Sequence, residues 1–296
     1  MTAPPTGPAA APRTEPVTGR RHTLYFLESA DRQRPVFLDT EVDMGRVVAH
    51  RTASREAGRG YSYVSYVLHA VGRALAAHPE ANAVMAPGWP SRWRGPRITR
   101  FTGGVTAKLA LDRRLDGQRR VLSALLPGVD RADLDEIQLR LDRYRAADLG
   151  ELPEFDGVRA LGRLPVPVGR LAFARVLRDP RRREQVFGTV SVSSLGHGVV
   201  DGFHSAGGTA LTVNLGRVLD RPVVRAGSLA VAPVMRLGLA FDHRVVDGAL
   251  AAEVLGALKQ NLEDFDERVA PPSDAGDDRH ADPDHRTGRA LAADRS

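Results

Sequence analysis

The sequence predicts an α+β sandwich folded as one domain, because period-two strand patterns and 3.6-period helix patterns alternate along it at unequal spacing. Arg34 to Asp43 (RPVFLDTEVD) alternates apolar and polar residues like a half-buried strand. Residues 61–78 place Val64, Val67, Leu68, Val71 and Leu75 on one helical face, and Pro79 closes the segment. Residues 103–126 read as two strands, VTAKLALD and RRVLSALL, joined by the polar turn Arg113 to Gln118. Asp130 is placed to cap a helix that runs through Leu134, Ile137 and Leu141. Residues 157–186 interleave leucines and valines with arginines, and a helical pair packed on the domain is expected there. A strand from Phe187 to Ser193 follows, then strands at 209–215 and 233–241. A last helix over Ala249 to Asp264 carries Leu250, Val254, Leu255, Leu258 and Leu262 at helical spacing. The ends, 1–19 and 271–296, lack periodicity and are expected to be disordered tails flanking a catalytic domain at 20–270.

Composition narrows the chemistry. A 42% apolar content over 296 residues is ample for a core. No apolar run reaches 18 residues and residues 1–20 hold no secretory stretch, so a cytoplasmic protein without a transmembrane segment is expected. The absence of cysteine excludes disulfides, thiolate metal sites and a cysteine nucleophile, so any thiol must come with a substrate. A net charge of +6 suits an acidic partner, but neither the aromatic and basic interleaving of an RNA-binding sheet nor zinc-finger spacing is present, and nucleic-acid binding is not expected. Two lysines, Lys108 and Lys259, stand against many arginines.

The chemistry concentrates at Asp242-His243-Arg244-Val245-Val246-Asp247-Gly248. The apolar strand Leu237 to Phe241 runs directly into His243, so the sheet would hold this histidine while its ring faces a cleft. A neutral imidazole is well matched to a thiol of pKa about 8.5, and general-base help of this kind is worth roughly 10²–10⁴ in rate.

DHRVVDG followed by the helix AAEVLGALKQNLED resembles the end of the catalytic domain of the dihydrolipoamide acyltransferases of 2-oxoacid dehydrogenase complexes. Its His-x-x-x-Asp-Gly core is also that of chloramphenicol acetyltransferase. Upstream, Phe187 to Gly196 (FGTVSVSSLG) resembles the family strand whose serine before Leu-Gly stabilises the tetrahedral oxyanion. Weaker likenesses extend over about residues 20–268: Arg34 to Met44, where Val36 stands for the usual histidine, and Ser65 to Asn82 with its Pro-x-x-Asn end.

The resemblance implies a chloramphenicol-acetyltransferase-like sandwich with a mixed sheet flanked by helices, assembled as a homotrimer with sites between subunits. His243 would be the base, Ser193 the oxyanion donor with Ser194 the second choice, and Asp247 a structural residue paired with Arg20 or Arg21. Ser194, Gly196, Arg244 and Gly248 are the expected substrate contacts. No metal and no bound cofactor are implied; coenzyme A, or a lipoyl or phosphopantetheine thiol, enters as substrate.

Departures from the family pattern bear on the partner. Lipoyl and subunit-binding domains are not among these residues, so the acyl group is expected on coenzyme A or on another chain. The apolar C-terminal residues that build large shells in the family are replaced by a polar tail, which favours a free trimer. His197 to Gly202 also spells His-x-x-x-Asp-Gly, and is read as a loop. Besides the helical pair, 157–186 has a second reading, a basic lid that docks an acidic carrier protein through Arg175, Arg178, Arg181, Arg182 and Arg183. Transfer to an amine or hydroxyl, and a catalytically silent trimeric scaffold, stand as alternatives to transfer onto a thiol.

Overall fold

Alternation in the strands and amphipathic periodicity in the helices generate a layered structure around one six-stranded sheet. The computed structural model describes residues 21–86, 95–115, 118–147, 152 and 155–266. Both expected tails, and Arg20, lie outside them. The elements are α1 (Arg21–Ala30), β1 (Pro35–Asp43), α2 (Gly45–Glu56), α3 (Tyr63–Ala77), β2 (Ala83–Met85), β3 (Ile98–Arg100), β4 (Ala107–Leu115) and β5 (Gln118–Leu126). They continue as α4 (Leu134–Ala146), α5 (Asp156–Arg163), α6 (Val166–Arg178), α7 (Pro180–Phe187), β6 (Val190–Ser194), β7 (Leu211–Arg225), β8 (Ser228–Asp242) and α8 (Gly248–Glu263).

The sheet order is β1-β8-β7-β6-β4-β5. β6 pairs in parallel with β4 and β7, while the other neighbours are antiparallel, so the sheet is mixed. Val190, Val192, Leu211, Val213, Leu237, Leu239 and Phe241 turn to the face covered by α3 and α8, and form the core with Val67, Leu68, Val71, Val254 and Leu258. Asn261 of α8 donates to the Ala70 carbonyl of α3, which fixes the two helices to each other.

The opposite face carries Lys108, Ser191, Thr212, Asn214 and Asp242, all buried. Here α1 and α5–α7 form a cap. It is held by an aromatic cluster in which Phe187 stacks on Phe26 at 6.0 Å and meets Phe173 edge-on at 5.6 Å.

Several expectations change. Residues 157–186 form three helices and not a pair, because Leu164-Pro165 and Asp179-Pro180 each break the helix and restart it. The helix expected from Asp130 begins instead behind Asp133, whose carboxylate accepts the Glu136 N–H; Asp130 accepts from Val105 N–H. β7 and β8 run well past the expected spans and meet in a tight turn at Ala226 and Gly227, both with positive φ. The turn between β4 and β5 is correspondingly shorter than Arg113 to Gln118, since Leu115 already pairs with Gln118. Among the described residues no helix is long and apolar enough to cross a membrane.

Candidate active site

β8 delivers His243. Its last residue, Asp242, is buried and accepts from Arg244 through three bonds: the backbone N–H at 3.1 Å, Nε at 2.8 Å and Nη2 at 2.6 Å. Those bonds, Asp242 first, raise the Arg244 guanidinium pKa above its ordinary value. They also fold the chain into a turn that the N–H groups of Val245 and Val246 close on the Asp242 carbonyl. His243 sits at the apex of that turn, exposed, its backbone N–H anchored to the Arg34 carbonyl at 3.1 Å and its ring 5.4 Å from the Phe241 ring. Arg244, expected to contact substrate, is thus engaged in shaping the histidine turn.

Asp247 is the N-cap of α8, accepting the Leu250 N–H at 2.9 Å, so a fixed helix start follows the histidine four residues on. Of the arginines expected to pair with it, Arg21 donates instead to the Leu164 carbonyl at 3.4 Å. Gly248 opens the helix where a Cβ would meet nothing within 4 Å, leaving that surface unobstructed.

β6 delivers the serines. With Val190 and Val192 in the core, Ser191 and Ser193 point to the polar face. Ser194 lies at the strand end and its hydroxyl accepts the Gly196 N–H at 3.4 Å. Among the described residues no hydrogen bond engages the Ser193 hydroxyl, which leaves it able to donate. Gly196 is required by packing, since a Cβ there would lie 2.7 Å from the Gly216 carbonyl oxygen.

The register separates Ser193 from His243. Ser193 is level with Asn214 of β7, and Asn214 with Gly238 of β8. His243 therefore lies two strand spacings across and five residues along from Ser193, a separation on the order of 15–20 Å. An oxyanion donor must come within about 3 Å of the thioester oxygen while the base reaches the thiol that attacks the same carbon, so both side chains must close on one reaction centre. One copy of the chain does not bring them together.

The second motif is a turn at 197–199 laid on β7. Arg217 N–H binds the Val200 carbonyl, and the Asp201 carboxylate accepts from Arg217 Nε at 2.5 Å and Arg221 Nη2 at 3.1 Å. Arg183, one of the five arginines through which the lid reading docks a carrier protein, points inward and donates to the Gly208 carbonyl at 2.6 Å. Lys108 stands out in the sequence by its rarity alone, and its place between Ala107 and Leu109 in a strand is the signal of a polar side chain set on one face of the sheet.

This mixed sheet with its helical layers is the α+β sandwich of the acyltransferase cores. It superposes on a probable dihydrolipoamide acetyltransferase of Listeria monocytogenes with a TM-score of 0.63 at 20% identity, over 89% of this chain and 100% of that one. The dihydrolipoamide acetyltransferase of Azotobacter vinelandii gives 0.61 at 20% identity, over 88% and 98%.

Residues 181–270, which hold both Ser193 and His243, match the family model of the 2-oxoacid dehydrogenases acyltransferase (catalytic domain). The chain is 25% identical over 284 residues to the dihydrolipoyllysine-residue acetyltransferase component of the pyruvate dehydrogenase complex of Bacillus subtilis, covering 87% of this chain and 53% of that protein. It is 31% identical over 179 residues to the lipoamide acyltransferase component of the branched-chain alpha-keto acid dehydrogenase complex of Pseudomonas aeruginosa, covering 52% and 42%. The chain spans about half the length of these curated relatives.

Proposed function

We propose that the protein is an acyltransferase that moves an acyl group between a thioester and a thiol. The thioester is carried on coenzyme A, on a lipoyl group or on a carrier protein, and the site lies between neighbouring copies in a closed homotrimer. The observation that carries this reading is the placement of an unengaged Ser193 hydroxyl and an exposed, anchored His243 within one family-matched segment, yet too far apart to act in one copy. The catalytic mechanism of the Azotobacter vinelandii enzyme has been studied through a serine, a histidine and an asparagine four residues after the histidine. Here Asp247 occupies the position four residues after His243.

In the proposed reaction His243 takes the proton from the acceptor thiol as its sulfur attacks the thioester carbonyl. Ser193 of the adjoining copy donates to the oxyanion as it forms, and collapse expels the donor thiol, which recovers the proton from His243. Asp247 moves no proton. By capping α8 it holds the turn on which the imidazole is presented.

A shared site has a test that does not depend on the acyl group. Inactive His243→Ala and Ser193→Ala proteins are unfolded together in equal amounts and refolded. About three quarters of random trimers then contain both kinds, and each such ring has one interface where an intact histidine meets an intact serine. About a quarter of wild-type activity returns from two inactive preparations. A refolded mixture no more active than its components removes the shared-site reading.

A further inference from the structure

The cap encloses two cations for which the described residues supply no dedicated counter-charge. Lys108 is 6% exposed, donates to the Gly207 carbonyl, and sits 4.7 Å from the Phe26 ring centroid and 4.9 Å from that of Phe187. Arg183 stands 5.8 Å from the same Phe187 ring, with the Gly208 carbonyl as its acceptor. Among the described residues neither makes an ion pair. The carboxylate nearest in effect, Asp242, acts on Arg183 at a distance, while both its oxygens are bound by Arg244. Burying two like charges together is costly unless an anion joins them.

Residue choice points the same way. Lys108 is one of two lysines in a chain that otherwise uses arginine. Arginine holds its proton everywhere, whereas a buried lysine releases it. Burial, with Arg183 adding to it, pushes the Lys108 pKa down to about 7, and Arg183 itself falls to about 10, chiefly by burial. The amine can therefore be neutral when alone and charged when an anion arrives.

Position connects the pair to the acyl site. Lys108 is the register partner of Ser191, and Ser193 follows two residues later on the same face, which puts the Lys108 and Ser193 Cα atoms about 8 Å apart. In a four-carbon acyl group the far carbon lies roughly 4 Å from the thioester carbon. With the carbonyl at Ser193, that far end falls within the reach of a lysine side chain.

Building on the acyl-transfer reading, we propose that Lys108 and Arg183 form a binding site for a carboxylate at the far end of the acyl group, so that the preferred donor is a dicarboxylic acyl thioester of the succinyl class.

The test compares succinyl-coenzyme A with butyryl-coenzyme A, with dihydrolipoamide as acceptor. Wild type should favour the succinyl donor about ten-fold or more in kcat/KM. Lys108→Met should abolish that preference while butyryl turnover stays within about three-fold of wild type. Lys108→Arg should retain it. Measurable but equal turnover of both donors by wild type overturns the proposal. So does an equal loss on both in Lys108→Met, which would assign the pair to the phosphates of coenzyme A. Binding is read separately from turnover by thermal melting with free succinate or butyrate. Stabilisation by succinate alone, absent in Lys108→Met, supports the anion site even if no thioester turns over. Equal shifts, no shift, or a Lys108→Met protein of altered oligomeric state without succinate selectivity overturns it.

Discussion

His197–Gly202 and His243–Gly248 share the letters His-x-x-x-Asp-Gly, yet the first is a turn laid on β7 and the second joins a strand to a helix. In the second, Asp247 caps α8 and the histidine N–H is anchored to the neighbouring strand. In the first, Asp201 is bound by Arg217 and Arg221, and no helix follows. The difference lies in where the aspartate directs its carboxylate. A cap aims the preceding turn away from the protein body, whereas a double arginine clamp ties its loop down. Only the second copy of the motif is held by an element on each side, β8 before it and α8 after it.

The comparison breaks most sharply on the histidines. His243→Ala should lower thioester turnover by about 10²–10⁴ with the fold unchanged by circular dichroism, and His197→Ala should leave turnover near wild type. The reverse pattern would transfer the role to the β7 turn.

Smaller in effect, and unrelated to turnover, is the response of the sheet face beneath the cap to pH. Lys108 titrates near 7 in the folded chain against 10.5 unfolded, so the folded state binds fewer protons between those values. The penalty is complete below pH 7 and fades as pH rises toward 10.5, and stability should climb by a few kcal/mol across that window. Denaturant melts of wild type and Lys108→Met across the same range check it, since the variant should lose the slope.

The mildest contrast is between the aspartates. Asp247→Ala removes a helix cap and should cost about 1 kcal/mol together with part of the turnover. Asp201→Ala, which breaks only half-exposed ion pairs, should cost about as much or less with turnover intact. Equal turnover in the two would separate the α8 cap from His243 positioning.

Most of the family-like segment was legible because its signals are local. Val67, Leu68, Val71 and Leu75 in α3, and Val254, Leu255, Leu258 and Leu262 in α8, are buried as their spacing indicates. The outer halves of β7 and β8 were not legible, since Val224, Leu229 and Val231 are exposed and nothing there enforces alternation. α1 escaped notice because Tyr25 is its one buried side chain. The distance between Ser193 and His243 depends on which strands neighbour one another, and no pattern within a strand encodes that. The pairing of Lys108 with Arg183 arises likewise from β4 meeting a helix about 75 residues later in the chain.

β6 enters the sheet by two parallel pairings, one of which brings together Thr106 and Thr189, 83 residues apart. The β7–β8 hairpin and the turn from Asp242 to Val246, by contrast, close through neighbours in the chain. Loop-closure entropy delays the former and favours the latter, so during folding the histidine turn can take shape while the slot for β6 is still open. Ser193 is then the later arrival. The two residues proposed to act together would then mature at different times, and partial unfolding would release Ser193 ahead of His243.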